Sequence, residues 1–162
     1  MINVIDRIEP GPVQEWYRNN SDTNSLNRIV SDAEADGYIL NPKSGILFRN
    51  LYSDEIIERL GYSIVEIIFP RPVDLHLHED VGEAFNVVNG EGYFYRVKKL
   101  SRHKLPVFPG KELYIPKGCV HTFTPVRNGF LEMRLACSGK LDPEKEIQIE
   151  RFDIYWKDYF NI

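Results

Sequence analysis

Two histidines separated by a single residue, His76 and His78, constrain the fold of this chain more than any other feature. They close a segment that begins at Val73 and is typical of a β-strand, in which side chains two apart point to the same face. Both imidazoles can therefore bind the same ion. Glu83 then opens a run that alternates with β-branched and aromatic residues as far as Val88, which predicts a second strand that we expect beside the first.

A third histidine, His121, follows a strand-like run that ends in the turn Pro116-Lys117-Gly118. The segment Asn89-Gly90-Glu91-Gly92 predicts a hairpin after the second strand. Imidazoles and one carboxylate form a site of intermediate softness, which suits Fe, Mn, Co, Ni, Cu or Zn rather than Ca or Mg. The sequence therefore predicts one transition-metal site, with the ligands His76, His78, Glu83 and His121.

The segment around His76, His78 and Glu83 and the segment that ends at His121 resemble the paired motifs of the cupin superfamily. Its members are small metal-binding β-barrel or jelly-roll proteins. In the family the motifs read G-x5-H-x-H-x(3,4)-E-x6-G and G-x5-P-x-G-x2-H-x3-N. The matching residues are His76, His78, Glu83 and Gly90 in the first motif, and Gly110, Pro116, Gly118 and His121 in the second. Pro70 replaces the opening glycine and Pro125 replaces the closing asparagine, and neither position is a metal ligand in the family. The resemblance covers about a third of the chain.

The resemblance implies an all-β fold, a double-stranded β-helix or jelly-roll barrel with short flanking helices. With 162 residues and 43% hydrophobic content, the chain can bury one sizeable core. We expect a single domain over 1–162, composed of an N-terminal extension at 1–44, a barrel core at 45–138 and a C-terminal segment at 139–162. The resemblance also implies one divalent metal ion, which is Fe, Mn, Ni or Zn.

Local patterns predict the flanking elements. Short helices are expected at 12–17 and 25–30, a strand at 45–52, a helix from Ser53 to Gly61 and a strand at 62–69. A later strand at 130–137 alternates, with Leu131, Met133, Leu135 and Cys137 on its apolar face. Aromatic residues at helical spacing predict a terminal helix that packs on the barrel or on another subunit: Phe152, Tyr155, Trp156, Tyr159 and Phe160.

Strand parity also predicts the wall of a largely apolar cavity beside the metal, and the residues are Phe85, Val87, Tyr95, Phe123 and Met133. The basic residues Arg96, Lys98, Lys99, Arg102 and Lys104 alternate with apolar ones and are interpreted as a solvated face, with a contact to an anionic substrate as the alternative. His103 is expected in a solvated loop. A net charge of −4 and a pI near 5.6 disfavour nucleic-acid binding.

The beginning of the sequence carries no pattern of a secretory signal, and no long apolar run predicts a membrane span. Cys119 and Cys137 form neither a disulfide framework nor a Cys-x-x-Cys pair. We therefore expect a cytoplasmic protein that binds no membrane and no nucleic acid. A homodimer is expected, since partners commonly cover edge strands and flat faces of small β-proteins.

The predicted site suggests a function class. A divalent ion with three neutral imidazoles and one carboxylate keeps about one positive charge and open coordination positions, so it is suited to hold an oxyanion. Glu83 is the candidate catalytic residue, as a permanent ligand or a displaceable base. The segment from Pro116 to Leu135 resembles part of the acireductone-type dioxygenases, in which the interval between the second His and Glu is one residue shorter.

We expect a metal-dependent enzyme that acts on a metal-chelating oxygenated small molecule in a dioxygenase-like reaction. Sugar isomerases, epimerases and decarboxylases share the superfamily, so a non-redox isomerase or epimerase is an alternative. The other alternative is a module that binds a small molecule without turning it over.

Overall fold

A computed structural model describes residues 2–10, 15, 18, 23–98 and 101–149. These residues form β1 (Ile39–Leu40), β2 (Leu47–Asn50), β3 (Tyr62–Phe69), β4 (Leu75–Leu77), β5 (Glu83–Asn89), β6 (Gly92–Lys98), β7 (Ser101–Val107), β8 (Glu112–Ile115), β9 (Val120–Pro125), β10 (Leu131–Ser138) and β11 (Ile147–Ile149). The α-helices are α1 (Asn24–Ala35) and α2 (Asp54–Leu60), and 3-10 helices occur at Val4–Arg7 and Pro143–Lys145.

The strands form two antiparallel sheets. The first has six strands in the order β1-β2-β3-β10-β5-β8, and the second has five strands in the order β11-β4-β9-β6-β7. A large apolar cluster contains residues from the inner faces of both sheets, as in a β-sandwich or jelly roll. The prediction of an all-β fold with short flanking helices is confirmed.

Strand β10 shows how the sequence specifies this interior. It lies between β3 and β5, and its burial alternates along its whole length. The side chains of Leu131, Met133 and Leu135 are completely buried in the interior. Each such side chain contributes about 1.5–3 kcal/mol through the hydrophobic effect. The apolar face predicted for this segment is confirmed.

A second apolar cluster lies outside the barrel interior. Here α1 and the N-terminal 3-10 helix pack, through residues such as Ile5, Leu26 and Val30, against outward-facing side chains of both sheets, including Leu75 and Tyr95. The helix α1 is longer than the predicted helix at 25–30 because its buried residues continue to Ala33. The N-terminal segment thus covers one outer face of the barrel.

Helix α2 has the capping residues that the sequence indicates. The Ser53 side chain accepts a hydrogen bond from the Ile56 backbone N–H, and Gly61 ends the helix with a left-handed φ of 77°. The predicted helix between these two residues is confirmed. The strand β3 that follows has the predicted bounds, Tyr62–Phe69.

Two predictions about strand pairing are wrong. Strand β5 does not lie beside β4, because β5 pairs with β8 and β10 in the six-stranded sheet, whereas β4 pairs with β9 and β11 in the other. The segment 89–92 is not a hairpin either, since it carries the chain from β5 to β6 in the opposite sheet. Gly90 has a φ of 87° there, and a Cβ atom on it would lie 1.9 Å from the Phe130 carbonyl oxygen.

Strands β1 and β11 lie outside the predicted core at 45–138, and each extends one of the two sheets. Most of the predicted helix at 12–17 and the whole aromatic helix at 152–160 lie outside the described residues. Among the residues that are described, no helix has the length and hydrophobicity needed to cross a membrane.

Candidate metal centre

The three histidines of the sequence pattern come together on the inner face of the five-stranded sheet. His76 on β4 is paired with His121 on β9, and His78 follows two residues after His76. All three side chains are buried, with 3%, 9% and 1% of His76, His78 and His121 exposed. One ring nitrogen from each lies within 4.8 Å of the other two, which makes this a group that could hold a metal ion.

The turn of the second motif helps to hold the first motif in place. The Gly118 backbone N–H donates a hydrogen bond of 2.8 Å to the His78 carbonyl oxygen. Gly118 has a φ of 72°, which glycine adopts without strain. The Pro-x-Gly turn therefore connects the two blocks that carry the histidines.

Backbone carbonyl groups fix the orientation of two imidazole rings. The Nδ1 atom of His76 lies 3.0 Å from the Asp74 carbonyl oxygen, and the Nδ1 atom of His121 lies 2.8 Å from the Cys119 carbonyl oxygen. A carbonyl oxygen can only accept, so each Nδ1 carries the hydrogen and donates it. The Nε2 atom of each ring is then the nitrogen that remains for a metal ion.

Glu83 reaches the histidines from the opposite sheet. It is the first residue of β5, on the same inward face as Phe85, and only 2% of it is exposed. Its Oε1 atom lies 3.5 Å from the Nε2 atom of His78 and 3.5 Å from the Nε2 atom of His121. The two sheets thus place one carboxyl oxygen and two imidazole nitrogens around a common point.

Burial holds these groups in their neutral forms. Desolvation, together with the charge of nearby His76, lowers the pKa of His78 to about 4 and that of His121 well below its ordinary value. Desolvation, with a smaller effect from the charge of Glu146, raises the pKa of Glu83 to about 8. A cation among these groups would reverse the preference of the carboxyl group and use the free imidazole lone pairs, so the residues fit a divalent metal ion.

A second buried carboxylate, Glu146, lies in the same region, and sequence reasoning missed it. Its Oε1 atom is 3.7 Å from the Nδ1 atom of His76, and 9% of the residue is exposed. It directly precedes β11, the strand that pairs with β4. The surrounding sequence Asp142-Pro143-Glu144-Lys145 has the composition of a solvated loop, so no sequence signal could have found it.

A small cavity adjoins these groups. Its lining consists of Asn41, Ile46, Phe48, Ile67, Phe69, His76, His78, Glu83, Phe85, Leu141 and Glu146. The cavity volume is ≈30 Å³, which is room for about two ordered waters. The cavity is therefore compact, and its wall is mainly apolar.

The structure distributes the predicted wall residues differently. Phe85 lines the cavity, while Phe123 and Met133 pack in the interior cluster without being among its described lining residues. Tyr95 packs in the outer cluster, and the preceding residue, Phe94, faces the interior instead. Strand β6 thus has the opposite parity to the one predicted, because a shift of one residue exchanges the two faces of a strand.

The remaining candidate residues lie outside the cavity lining. His103 is exposed, as expected, but it belongs to strand β7 rather than to a loop. Val87 packs in the interior cluster. Cys119 and Cys137 are not joined in a disulfide, and burial, followed by the charge of Glu83, raises the pKa of Cys137 to about 12. Cys137 is therefore a protonated core residue at neutral pH.

No family model matches this chain, and no curated protein matches it. Solved structures do match. An oxalate decarboxylase aligns with 18% identity and a TM-score of 0.55, over 66% of this chain and 29% of that one. The nucleoside dehydratase Pac13 from Streptomyces aligns with 15% identity and a TM-score of 0.52, over 70% of this chain and 86% of that one, and a variant of it was solved with uridine.

An oxalate oxidase in complex with glycolate aligns with 21% identity and a TM-score of 0.49, over 59% of this chain and 51% of that one. The alignment thus spans about half the length of that relative. The oxalate decarboxylase and Pac13 have the cupin fold, and this chain has it too. At these identities the likeness describes the fold, so the function must be argued from the site.

Proposed function

We propose that this protein is a metal-dependent enzyme of the cupin type that acts on a metal-chelating oxygenated small molecule, with dioxygenase-like chemistry. The proposed ligands of one divalent transition metal, Fe, Mn, Ni or Zn, are His76, His78, Glu83 and His121. The observation that carries the proposal is the convergence of three buried imidazoles and one buried carboxyl group, contributed by facing sheets.

When bound, the metal would act as a Lewis acid for substrate oxygen atoms and, if it is redox-active, would provide a place for O2. The rings of His76 and His121 are already oriented by their backbone hydrogen bonds, so little reorganisation is needed. Glu83 Oε1 lies among the histidines, and we propose Glu83 either as a permanent ligand or as a displaceable base that accepts a hydroxyl proton of the substrate.

The cavity supports a small substrate. Apolar side chains such as Ile67, Phe69 and Phe85 form most of its wall, and the polar groups on it come from two histidines, two glutamates and one asparagine. A largely apolar pocket with a few convergent polar groups is typical of a small-molecule site. Exclusion of water by these walls would strengthen the electrostatic interactions at the metal.

Oxygen consumption tests the proposal. Protein loaded with Fe(II) or Ni(II) should consume O2 in the presence of chelating 1,2-diols or enediols, and Glu83→Gln should reduce the rate by about 100-fold or more if the carboxylate moves a proton. Product formation without O2 would instead indicate an isomerase or epimerase. Thermal stabilisation by a ligand without any product would indicate a binding module.

We also propose a homodimer, in agreement with the sequence-based expectation. The support is β8, an edge strand of the six-stranded sheet as described, where Tyr114 is 70% exposed. Partner subunits commonly cover such edges. Size-exclusion chromatography with light scattering should give twice the mass of the chain, and the mass of a single chain would contradict the proposal. The cytoplasmic location and the absence of nucleic-acid and membrane partners stay predictions from the sequence.

A further inference from the structure

One polar side chain on the cavity wall comes from neither of the two histidine segments. Asn41 directly follows β1, in the short loop that joins β1 to β2, and it lines the same cavity as His78 and Glu83. Only 5% of the residue is exposed. It belongs to the segment 1–44, which the sequence predicts as an N-terminal extension, so this segment contributes a buried amide to the site.

The hydrogen bonds of the loop show which atom of Asn41 can bind a ligand. Its Oδ1 atom accepts a hydrogen bond of 3.0 Å from the Lys43 backbone N–H, so the other amide atom, Nδ2, is a donor. Within the part of the chain that the structure describes, Nδ2 has no hydrogen-bond partner. Because the residue is buried and lines the cavity, the cavity is the space in which this donor can meet an acceptor.

The loop holds Asn41 in a defined position. The Asn41 backbone N–H donates to the Ile46 carbonyl oxygen, and the Asn41 carbonyl oxygen accepts from the Gly45 N–H, each at 2.8 Å. The buried guanidinium group of Arg71 donates to the Ser44 carbonyl oxygen at 3.2 Å. Gly45 has a φ of 78°, and a Cβ atom on it would lie 2.8 Å from the Arg71 Nη2 atom. Such a prearranged donor lowers the entropic cost of binding.

We infer that Asn41 is a substrate-binding residue, and that its Nδ2 atom donates a hydrogen bond to an oxygen of the chelating substrate. The cavity volume is only ≈30 Å³, so a molecule that fills it touches the wall that Asn41 lines. A carbonyl oxygen of an α-hydroxyketone or an oxygen of an enediolate satisfies the donor, whereas an apolar group in its place leaves a buried N–H unpaired. The inference rests on the proposed function, because it requires a substrate that chelates the metal.

Binding of acetohydroxamate to Co(II)-loaded protein tests the inference. This probe is a compact chelator with two acceptor oxygens, and a ligand that reaches Co(II) changes its visible absorption spectrum. Asn41→Ala should raise the dissociation constant of acetohydroxamate at least about fivefold, as expected for the loss of one hydrogen bond. The Co(II) content should equal that of the wild type, because Asn41 is not a proposed ligand. Equal affinity for acetohydroxamate in the two proteins would overturn the inference.

Ser44→Ala is the matched control. The Ser44 Oγ atom accepts a hydrogen bond of 3.2 Å from the Ile46 backbone N–H, so this variant also removes one side-chain-to-backbone bond from the same buried loop. It leaves the Asn41 amide in place, and Ser44 does not belong to the described lining of the cavity. The dissociation constant should stay within about twofold of the wild type. The same loss of affinity in both variants would overturn the inference, because Asn41 would then act by holding the loop.

A crystal structure of the Co(II)-loaded wild type with acetohydroxamate needs no variant. The Asn41 Nδ2 atom should lie within about 3.2 Å of an oxygen of the probe, and a separation above about 3.5 Å from both oxygens would overturn the inference. A wild type that holds Co(II) but does not bind the probe would overturn it too. Protein that takes up no Co(II) refutes the metal centre and the inference together, whereas normal Co(II) content with equal probe affinity in Asn41→Ala refutes only the inference.

Discussion

Metal binding at this site should release a proton from Glu83, and the pKa of its carboxyl group determines how many protons are released on average at a given pH. Burial, with a smaller effect of Glu146, raises the pKa of Glu83 to about 8. A group with that pKa is about 90% protonated at pH 7, so formation of the metal complex expels about 0.9 proton from it. His78, whose pKa is lowered to about 4, is already neutral at this pH and adds little. On account of Glu83, metal affinity should rise about tenfold per pH unit below pH 7 and level off above about pH 8.

Isothermal titration calorimetry with Zn(II) at pH 7, in two buffers that differ in ionisation enthalpy, counts the released protons. The wild type should release about 0.9 proton more than Glu83→Gln, because the glutamine amide carries no titratable proton. Contributions from the imidazoles are common to both proteins and cancel in the difference. Equal proton release by the two proteins would refute the reasoning, since Glu83 would then not lose its proton to the metal.

The same pKa sets the direction of a change in stability of the metal-free protein. Because the folded-state pKa of about 8 lies above the ordinary 4.5, the contribution of Glu83 to stability is fully present below about pH 4.5 and is lost as the pH rises through 8. Each unit of difference corresponds to ~1.4 kcal/mol. Urea unfolding at pH 6 and pH 9 should show a larger loss for the wild type than for Glu83→Gln. The same loss in both proteins would contradict the buried position of the carboxyl group.

Three further changes have expected outcomes. His76→Ala should weaken metal binding by about 100-fold or more while the far-ultraviolet circular dichroism stays native. His103→Ala, which removes an exposed histidine, should leave the metal affinity unchanged. Equal metal affinities of these two variants would count against the site. A metal at about 1,000 times its dissociation constant should stabilise the wild type by ~4 kcal/mol, a rise in Tm of about 8–16 °C by calorimetry, and no rise would argue that the metal does not bind the folded state. Gly90→Ala should lower the free energy of unfolding by at least ~1 kcal/mol more than Gly110→Ala in urea titrations. Both glycines have a φ near 90°, but an added Cβ atom would lie 1.9 Å from the Phe130 carbonyl oxygen at Gly90 and would meet nothing within 4 Å at Gly110. Equal losses would speak against that contact.

Local chemistry made a large part of the fold predictable. The alternation of Leu131, Met133 and Leu135 identifies the inner face of β10, and the caps Ser53 and Gly61 bound α2, because these signals depend only on neighbouring residues. The histidine spacing was informative for the same reason. Side chains two apart in an extended segment share a face, whatever the strand is paired with.

Pairing between distant strands was not predictable. The glycine at position 90 signals a sharp change of direction, but whether the next strand returns beside β5 or enters the facing sheet depends on contacts made far along the chain. The interior position of Phe94 rather than Tyr95 follows from the register of β6 with β9, which is again a long-range property. Glu146 was missed because only the pairing of β11 with β4 brings its charged segment to the histidines.

Anomalous X-ray scattering from crystals of the metal-loaded protein tests the central claim most directly, because it locates the ion without reference to activity. The account predicts a single strong peak inside the barrel, about 2.0–2.2 Å from a ring nitrogen of each of His76, His78 and His121. Absence of any peak within bonding distance of these rings, in protein that has taken up metal, would contradict it.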